Sequence, residues 1–182
     1  MRIYTLRCQM QAPVSMQEAF AVFEEPRNLV RITPEWLNFR LLTPNVVMSK
    51  GAELEYALRW MKAPLRWKTL ITEYEPPFFF TDEMVRGPYA LWQHRHIFHP
   101  SEEGAVMTDE VDYALPLGRL GRLVHRLIVA NQLKAIFRYR QIAINQILCG
   151  GRARWTEPTI TEKPPRNPPA GTANRETHTH AV

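Results

Sequence analysis

The segment GPYALWQHRHIFHP, residues 87–100, carries the side chains best suited to chemistry in this sequence. It alternates as a β-strand does, so Trp92, His94, His96 and Phe98 project from the same face. A dry protein core would take aliphatic side chains at all four positions. Two imidazoles there indicate a metal site, a catalytic pocket or a half-polar cavity, because each of these needs polar or ionisable groups among apolar walls.

A second strand, predicted after the turn PSEEG, supplies a carboxylate to this face. A register that places Phe98 opposite Ala105 puts His94 opposite Asp109. Period 2 then places Asp109 and Tyr113 on the histidine face, which is otherwise apolar. A slip of one residue would void the pairing, because it turns every side chain to the other face of the sheet.

Arg140 is the second unusual polar group. In the predicted C-terminal helix it lies in the middle of an apolar stripe made by Leu133, Ile136, Phe137, Ile144 and Ile147. A guanidinium that faces a core must find an anion or leave buried donors unpaired, which costs several kcal/mol. The candidate anions are Asp109, Asp82 and a carboxylate or phenolate of a bound ligand.

Three interpretations of these polar groups follow from the residues. In the first, the His–Asp and Arg–Asp pairs simply satisfy one another in a core, as buried polar groups often do. In the second, they orient the polar end of a mostly apolar ligand in a cavity. In the third, the His94–Asp109 dyad moves a proton on an aromatic or polyketide-like substrate. Arg140 or Tyr113 would then stabilise the enolate that forms.

The spacing of the histidines also raises a metal site. His94 and His96 stand at i, i+2 on one strand face and could share a zinc ion, with Asp109 as a third ligand. His99 alternates to the opposite face, and neither a cysteine nor a further histidine lies close in the sequence. Because paired strand histidines without a further ligand are usually not metal sites, we expect no metal and no cofactor.

Composition and charge argue against several classes of function. The 182 residues are 45% hydrophobic and 23% charged, which is ordinary for a globular protein. The net charge is +5, but residues 1–149 hold 18 basic and 15 acidic residues, too even a balance to predict nucleic-acid binding. No segment approaches the ~18 apolar residues of a membrane span. The N-terminus has no apolar signal region, and Cys8 and Cys149 have no metal spacing, so we expect a cytoplasmic protein with reduced thiols.

The chain divides into one predicted domain over residues 1–149 and a Pro/Thr-rich tail over 150–182. The tail contains five prolines and six threonines, and its sizeable apolar residues before the C-terminal valine are Trp155 and Ile160. Such a segment cannot bury enough apolar surface to offset its ordering entropy, so we predict that it is disordered.

Residues 1–149 follow the order one strand, a helix pair, an antiparallel run of about six strands and a long closing helix. This order, with the segments AFAVFEEPRNLVRITPEW, FTDEMVRGPYALWQHRHIF and TDEVDYALPLG, resembles the helix-grip (SRPBCC) superfamily. Its members include START lipid-transfer domains, pollen-allergen-like proteins, polyketide cyclases and coenzyme Q-binding proteins, and the last segments look most like the bacterial cyclase/dehydrase branch. The resemblance implies an α+β fold: a curved antiparallel sheet of about seven strands wrapped on a long C-terminal helix, with an apolar cavity between them.

A short helix is predicted over residues 117–128, with a break near 130–132 before the long helix. Its apolar stripe consists of Leu120, Leu123, Val124 and Leu127. A basic stripe lies across from it, formed by Arg119, Arg122 and Arg126. Such a helix is either a solvated surface element or a contact for an anionic membrane surface, which a lipid carrier would need for loading.

The function that these observations favour is binding of a hydrophobic small molecule, whether lipid, aromatic or polyketide-like, in the central cavity. The predicted lining is aromatic and polar and comprises Trp60, Trp67, Trp92, His94, His96, Tyr113, Phe137 and Arg140. One alternative is a cofactor-free cyclase or dehydratase that uses the His94–Asp109 dyad. Another is a membrane-surface or protein adaptor that uses the basic helix. The resemblance carries over no catalytic motif, and the oligomeric state stays open.

Overall fold

The computed structural model describes residues 1–60 and 63–163 of the chain. Its first elements are β1 (Tyr4–Ala12), α1 (Met16–Glu24), α2 (Asn28–Ile32), a 3₁₀ turn (Glu35–Leu37), β2 (Arg40–Leu41) and β3 (Glu53–Trp60). The remaining elements are β4 (Ala63–Glu75), β5 (Phe79–Arg86), β6 (Leu91–Ser101), β7 (Gly104–Ala114), α3 (Gly118–Val124), a π-helical segment (His125–Val129), α4 (Ala130–Cys149), β8 (Arg154–Trp155) and β9 (Thr159–Glu162).

One antiparallel sheet contains all of these strands, in the order β2-β3-β4-β5-β6-β7-β1-β8, with β9 also paired to β1. The curved sheet packs its inner face against the 20-residue helix α4, and α1 and α2 follow the first strand. The predicted α+β helix-grip fold is therefore confirmed. Among the described residues, no helix combines the length and the apolar character that a membrane crossing requires.

Alternation along the strands builds the core on the inner face of the sheet. β1 buries every second residue, and its partner β7 buries Ala105, Met107, Val111 and Tyr113 among others. Helix α4 covers this face with Leu133, Phe137 and Ile144. Helix α1 is held at its start by a capping box, in which the Ser15 hydroxyl accepts from the Glu18 amide and the Glu18 carboxylate accepts from the Ser15 amide.

The pairing of β6 with β7 differs by two residues from the predicted register. Phe98 lies opposite Met107 rather than Ala105, and His96 rather than His94 lies opposite Asp109. The physical reason is the turn: β6 runs on to Ser101, which pairs with Gly104 and leaves only two residues in the connection. A shift of two preserves the face of every side chain, so the histidines and Asp109 still share the inner face.

The segment before α4 also differs from its prediction. The irregularity is the π-helical segment at His125–Val129, earlier than the break expected near 130–132. Leu120, Leu123 and Leu127, predicted as the apolar stripe, are 57%, 54% and 63% exposed. The buried residue of α3 is instead Gly121. A Cβ at this position would lie 2.1 Å from the Pro116 carbonyl oxygen. This close approach of two backbone segments turns the leucines outward.

Part of the predicted disordered tail is structured. β8 pairs with β1 at Met10 and Gln11, and β9 pairs with β1 from Tyr4 to Arg7, which places Ile160 opposite Leu6. The edge of β1 provides backbone hydrogen-bond partners that composition alone does not reveal. The rest of the predicted tail, residues 164–182, lies outside the described part of the chain, as do the two residues between β3 and β4.

Candidate functional site

A cavity of about 380 Å³ lies between the inner face of the sheet and the helices. Helices α1 and α2 border it on one side, α3 and α4 on the other, and strands β3, β4, β5 and β6 form its floor. Its walls are mostly aliphatic and aromatic. A small number of polar side chains interrupts them, which is the usual composition of a small-molecule site.

Seven of the eight predicted lining residues border this cavity: Trp60, Trp67, Trp92, His94, His96, Phe137 and Arg140. Tyr113 does not. Its side chain is fully buried, and its hydroxyl lies 2.8 Å from Nε2 of His125 in the π-helical segment. The prediction that Tyr113 lines the cavity is wrong because this segment covers the end of β7, and the hydroxyl has a protein partner there.

Four side chains on three adjacent strands form a group that we call the His–Asp tetrad: Asp82, His94, His96 and Asp109. Asp82 on β5 stands opposite His94 on β6, and Asp109 on β7 stands opposite His96. Nε2 of His94 lies 3.1 Å from Oδ1 of Asp109, and Nδ1 of His96 lies 2.8 Å from the same oxygen, although out of line for a hydrogen bond. The predicted His94–Asp109 contact is present, but as a diagonal one.

The second carboxylate of the tetrad completes a closed arrangement. Oδ2 of Asp82 lies 3.5 Å from Nδ1 of His94 and 3.3 Å from Nε2 of His96. Each imidazole therefore directs one nitrogen toward each carboxylate. A period-2 reading of β5 from Phe80 would have placed Asp82 on this face, but only the pairing of β5 with β6 brings it opposite His94.

Aromatic rings enclose the two imidazoles. Phe80 stacks on His96 with ring centroids 4.2 Å apart, and Phe23 of α1 meets the same imidazole edge-on at 5.6 Å. Phe137 of α4 meets His94 edge-on at 5.5 Å. These contacts orient both imidazoles and cover most of their surface.

Burial and mutual contact set the protonation of the tetrad. Burial, and then the nearby His96, lower the pKa of His94 despite the two carboxylates. Burial also opposes protonation of His96, but the hydrogen bonds and charges of Asp109 and Asp82 outweigh it and raise the pKa of that imidazole. Burial would raise the pKa of Asp109, yet the two imidazoles hold it well below 3.8. Asp109 is consequently ionised and His94 neutral at neutral pH.

Arg140 reaches the cavity from α4 and has no anionic partner among the residues that the structure describes. Its guanidinium carbon lies 5.4 Å from the centroid of the Phe137 ring, and its Nε is buried without a hydrogen-bond acceptor among the described residues. Asp82 and Asp109, two of the three candidate anions, form no ion pair with Arg140 among the described residues, because the imidazoles contact both carboxylates. Of the anions considered from the sequence, only one carried by a ligand is left.

The indole N–H groups of two of the three cavity tryptophans already have partners. The indole N–H of Trp67 donates to Oγ1 of Thr69 at 3.0 Å, and that of Trp60 donates to Oε1 of Gln132. The hydroxyl of Tyr56 lies 3.3 Å from the same threonine oxygen. The indoles therefore present ring surface rather than donors to the cavity. The alternation that predicted Trp60 and Trp67 extends to Tyr56 and Thr69. The sequence could therefore also have predicted that these two residues line the cavity.

Comparisons with known proteins identify the fold. No family model matches the chain, and no curated protein matches it by sequence. A crystal structure of a Chromobacterium violaceum protein aligns with a TM-score of 0.63 at 12% identity, over 79% of this chain and 96% of that one. A Thermus thermophilus protein aligns with a TM-score of 0.61 at 12% identity, over 79% and 98%.

Norcoclaurine synthase from Thalictrum, solved as a point mutant in complex with a transition-state analogue, also shares this fold. It aligns with a TM-score of 0.56 at 12% identity, over 81% of this chain and 98% of that one. These matches support the helix-grip fold alone. At such identities they do not extend to a shared site.

Replacing Asp109 by Asn should lower the free energy of unfolding by about 3–5 kcal/mol at pH 7, because it breaks a buried charged network. The pKa of Asp109 is lower in the folded than in the unfolded chain, so its stabilisation is present above pH 3.8 and is lost as the pH falls below that value. The deficit of the variant should therefore shrink below pH 4. Urea denaturation from pH 7 to pH 3 measures it, with Glu110→Gln as the matched control. A deficit that is constant with pH would contradict the assignment.

Proposed function

We propose that the protein binds an apolar small molecule with an anionic end in its cavity. The observation that carries the proposal is Arg140, a guanidinium that borders a mostly apolar cavity and whose buried Nε has no hydrogen-bond acceptor within residues 1–60 and 63–163. Leaving a buried donor unpaired costs about 1–3 kcal/mol. A ligand carboxylate, sulfonate or phenolate would remove that cost and fix the orientation of the bound molecule.

The size and the walls of the cavity favour an aromatic or polyketide-like ligand. A volume of about 380 Å³ falls within the range of small-molecule sites, roughly 300–1,000 Å³. Trp67 stacks on Tyr56 at 5.9 Å and meets Trp92 edge-on at 5.2 Å, so ring surfaces face the ligand. Norcoclaurine synthase, solved with a transition-state analogue, shows that this fold accommodates a small molecule.

A second function, contact with an anionic membrane surface, is favoured by the segment Leu117–Ile128. Leu117, Leu120, Leu123 and Leu127 are each more than half exposed, and Arg119 and Arg126 are exposed beside them. Exposed leucines next to arginines match the apolar and anionic layers of such a surface. Leu117, Gly121 and Val124 also line the cavity, so we propose that the ligand is exchanged with the membrane here.

A cyclase or dehydratase reaction is our alternative proposal for the same cavity. It is supported by the His94–Asp109 contact of 3.1 Å and by the lowered pKa of His94, which keeps the imidazole neutral and able to accept a proton. No cofactor enters this proposal. The same geometry also satisfies two buried polar groups without any reaction, and this is why binding is the first proposal.

The Arg140→Met variant should bind the anionic dye 1-anilinonaphthalene-8-sulfonate at least tenfold more weakly than wild type, since it loses a charge-assisted hydrogen bond. Binding of the neutral N-phenyl-1-naphthylamine should change little. Arg138→Met, on the exposed side of α4, is the matched control. Dye fluorescence and quenching of the cavity tryptophans give both affinities. Equal loss for the two dyes would contradict the anion site, and failure of wild type to bind either dye at 1:1 would overturn the cavity proposal.

Charge reversal at Arg119 and Arg122 should reduce binding to vesicles that contain phosphatidylglycerol, because each basic side chain near the surface contributes about 1 kcal/mol. Leu120→Asn with Leu123→Asn should reduce it through loss of apolar insertion. Lys134→Glu with Arg138→Glu makes the same charge change on α4 and should have a smaller effect. Vesicle co-sedimentation at physiological salt measures binding. If wild type does not co-sediment, or the control pair has an equal effect, the contact is not formed by this segment.

The catalytic alternative predicts that His94→Ala abolishes turnover of an aromatic or polyketide-like test substrate while the variant stays folded at the assay temperature, although it melts earlier because Asp109 loses a buried partner. His99→Ala, on the outer face of the same strand, should leave turnover unchanged. Chromatography of the reaction products and thermal unfolding give the two readouts. If the His94→Ala variant melts earlier but keeps its turnover, the dyad has a structural role and not a catalytic one.

A further inference from the structure

We propose that Asp82, His94 and His96 form a binding site for a divalent transition-metal ion such as Zn²⁺ in the wall of the cavity. The three side chains offer one ligand atom each, and these atoms lie within 4.8 Å of one another. Two imidazoles and a carboxylate are donors that zinc and its first-row neighbours accept. The proposal reverses the expectation of no metal drawn from the sequence, where Asp109 was the only third ligand considered.

The spacing of the donor atoms suits a shared ion better than hydrogen bonds. Oδ2 of Asp82 lies 3.3 Å from Nε2 of His96 and 3.5 Å from Nδ1 of His94. Ligands about 2.0–2.1 Å from a tetrahedral metal are separated by about 3.3 Å. Charge-assisted hydrogen bonds between an imidazolium and a carboxylate are shorter, about 2.7–2.9 Å. The two carboxylate–imidazole separations therefore already match a shared ion, and the separation of the two imidazole nitrogens, at most 4.8 Å, would have to shorten toward the same value.

Asp109 lies behind both imidazoles, in the position of an orienting carboxylate. Nε2 of His94 donates to Oδ1 of Asp109, which leaves the lone pair of Nδ1 free on the side of Asp82. Nδ1 of His96 lies 2.8 Å from the same Asp109 oxygen but out of line for a hydrogen bond, and Nε2 of His96 meets Asp82 at 3.3 Å. A small rotation of the His96 imidazole would let Nδ1 donate to Asp109 and present the lone pair of Nε2 to the ion. A carboxylate behind a metal-binding histidine is the usual device for selecting the tautomer and raising ligand basicity.

The charge of the tetrad also favours a cation. Metal ligation requires both imidazoles to be neutral, and in that state the two carboxylates give the tetrad a charge of −2 in a site enclosed by Phe23, Phe80 and Phe137. Arg140 makes no ion pair with either carboxylate among the described residues. A divalent ion would balance the charge without requiring either imidazole to be protonated.

The ligand set leaves coordination positions open toward the cavity. Asp82, His94 and His96 line the cavity, whereas Asp109 lies behind them and does not. Three protein ligands with one or more open positions are typical of metal sites that bind water or a substrate oxygen. An oxygen atom of a cavity ligand could occupy such a position. The ion would take Nδ1 of His94, the nitrogen that a general base would need, so the metal site and the catalytic dyad exclude each other.

Metal binding by the untagged, chelator-stripped chain tests the proposal without any organic ligand. Titration with Co²⁺ should give one equivalent of a visible-absorbing four- or five-coordinate site, which Zn²⁺ displaces. Asp82→Asn should weaken Co²⁺ binding roughly 100-fold or more by removing a ligand. Asp109→Asn should weaken it about 10–100-fold, since it only orients the ligands. His99→Gln, on the exposed face of β6, and a His178→Gln/His180→Gln variant should bind Co²⁺ as wild type does.

Two results would overturn the site. One is Co²⁺ binding that Asp82→Asn leaves unchanged, and the other is wild-type binding that is lost in the His178→Gln/His180→Gln variant or is absent altogether. Asp82 decides the question even if histidine variants fail to fold, because its side chain is 15% exposed and thermal unfolding can confirm that the variant is intact. Binding of the naphthalene dyes by the stripped protein is measured separately, so failure of the metal site is distinguishable from failure of the cavity proposal.

Discussion

The tetrad of two imidazoles and two carboxylates is the interaction on which the rest of the site depends. Burying even one of these carboxylates alone would cost several kcal/mol, so the four groups are stable only when strands β5, β6 and β7 hold them in register. Phe80 and Phe137 then cover part of each imidazole and lower the local polarity, which strengthens the contacts within the group. The arrangement of the tetrad therefore requires both the sheet register and the packing of α4.

The tetrad also explains why Arg140 is available to a ligand. Because the imidazoles occupy Asp82 and Asp109, the guanidinium on α4 has no acidic side chain to pair with in the described part of the inner face. The cavity thus has two polar regions of different character. One is a compact group of nitrogen and oxygen donors on the sheet, and the other is a single cation on the helix. Together they would orient a molecule whose body rests on Trp67 and Trp92.

Local patterns predicted most of the architecture and failed where partners are distant in sequence. Alternation assigned the faces of β6 and β7 correctly, because a strand repeats every two residues whatever it pairs with. The turn after Ser101 set the register two residues away from the predicted one, and no local signal fixes such a shift when both registers bury the same face. Composition likewise could not show that Ile160 pairs opposite Leu6, since β9 is a strand only because the edge of β1 is there.

For the site, the residue types and the spacing in the sequence determined which polar groups face inward: the imidazole pair, Asp109 and Arg140. The tertiary structure decided which of them meet. It placed Asp82 opposite His94, left Arg140 without a carboxylate in the described part of the chain, and directed the Tyr113 hydroxyl to His125 and away from the cavity. The reason is that orientation follows from the local period of a strand or helix. Contact between side chains depends on the register between strands and on the position of a helix against the sheet. Both of these are determined by the whole chain.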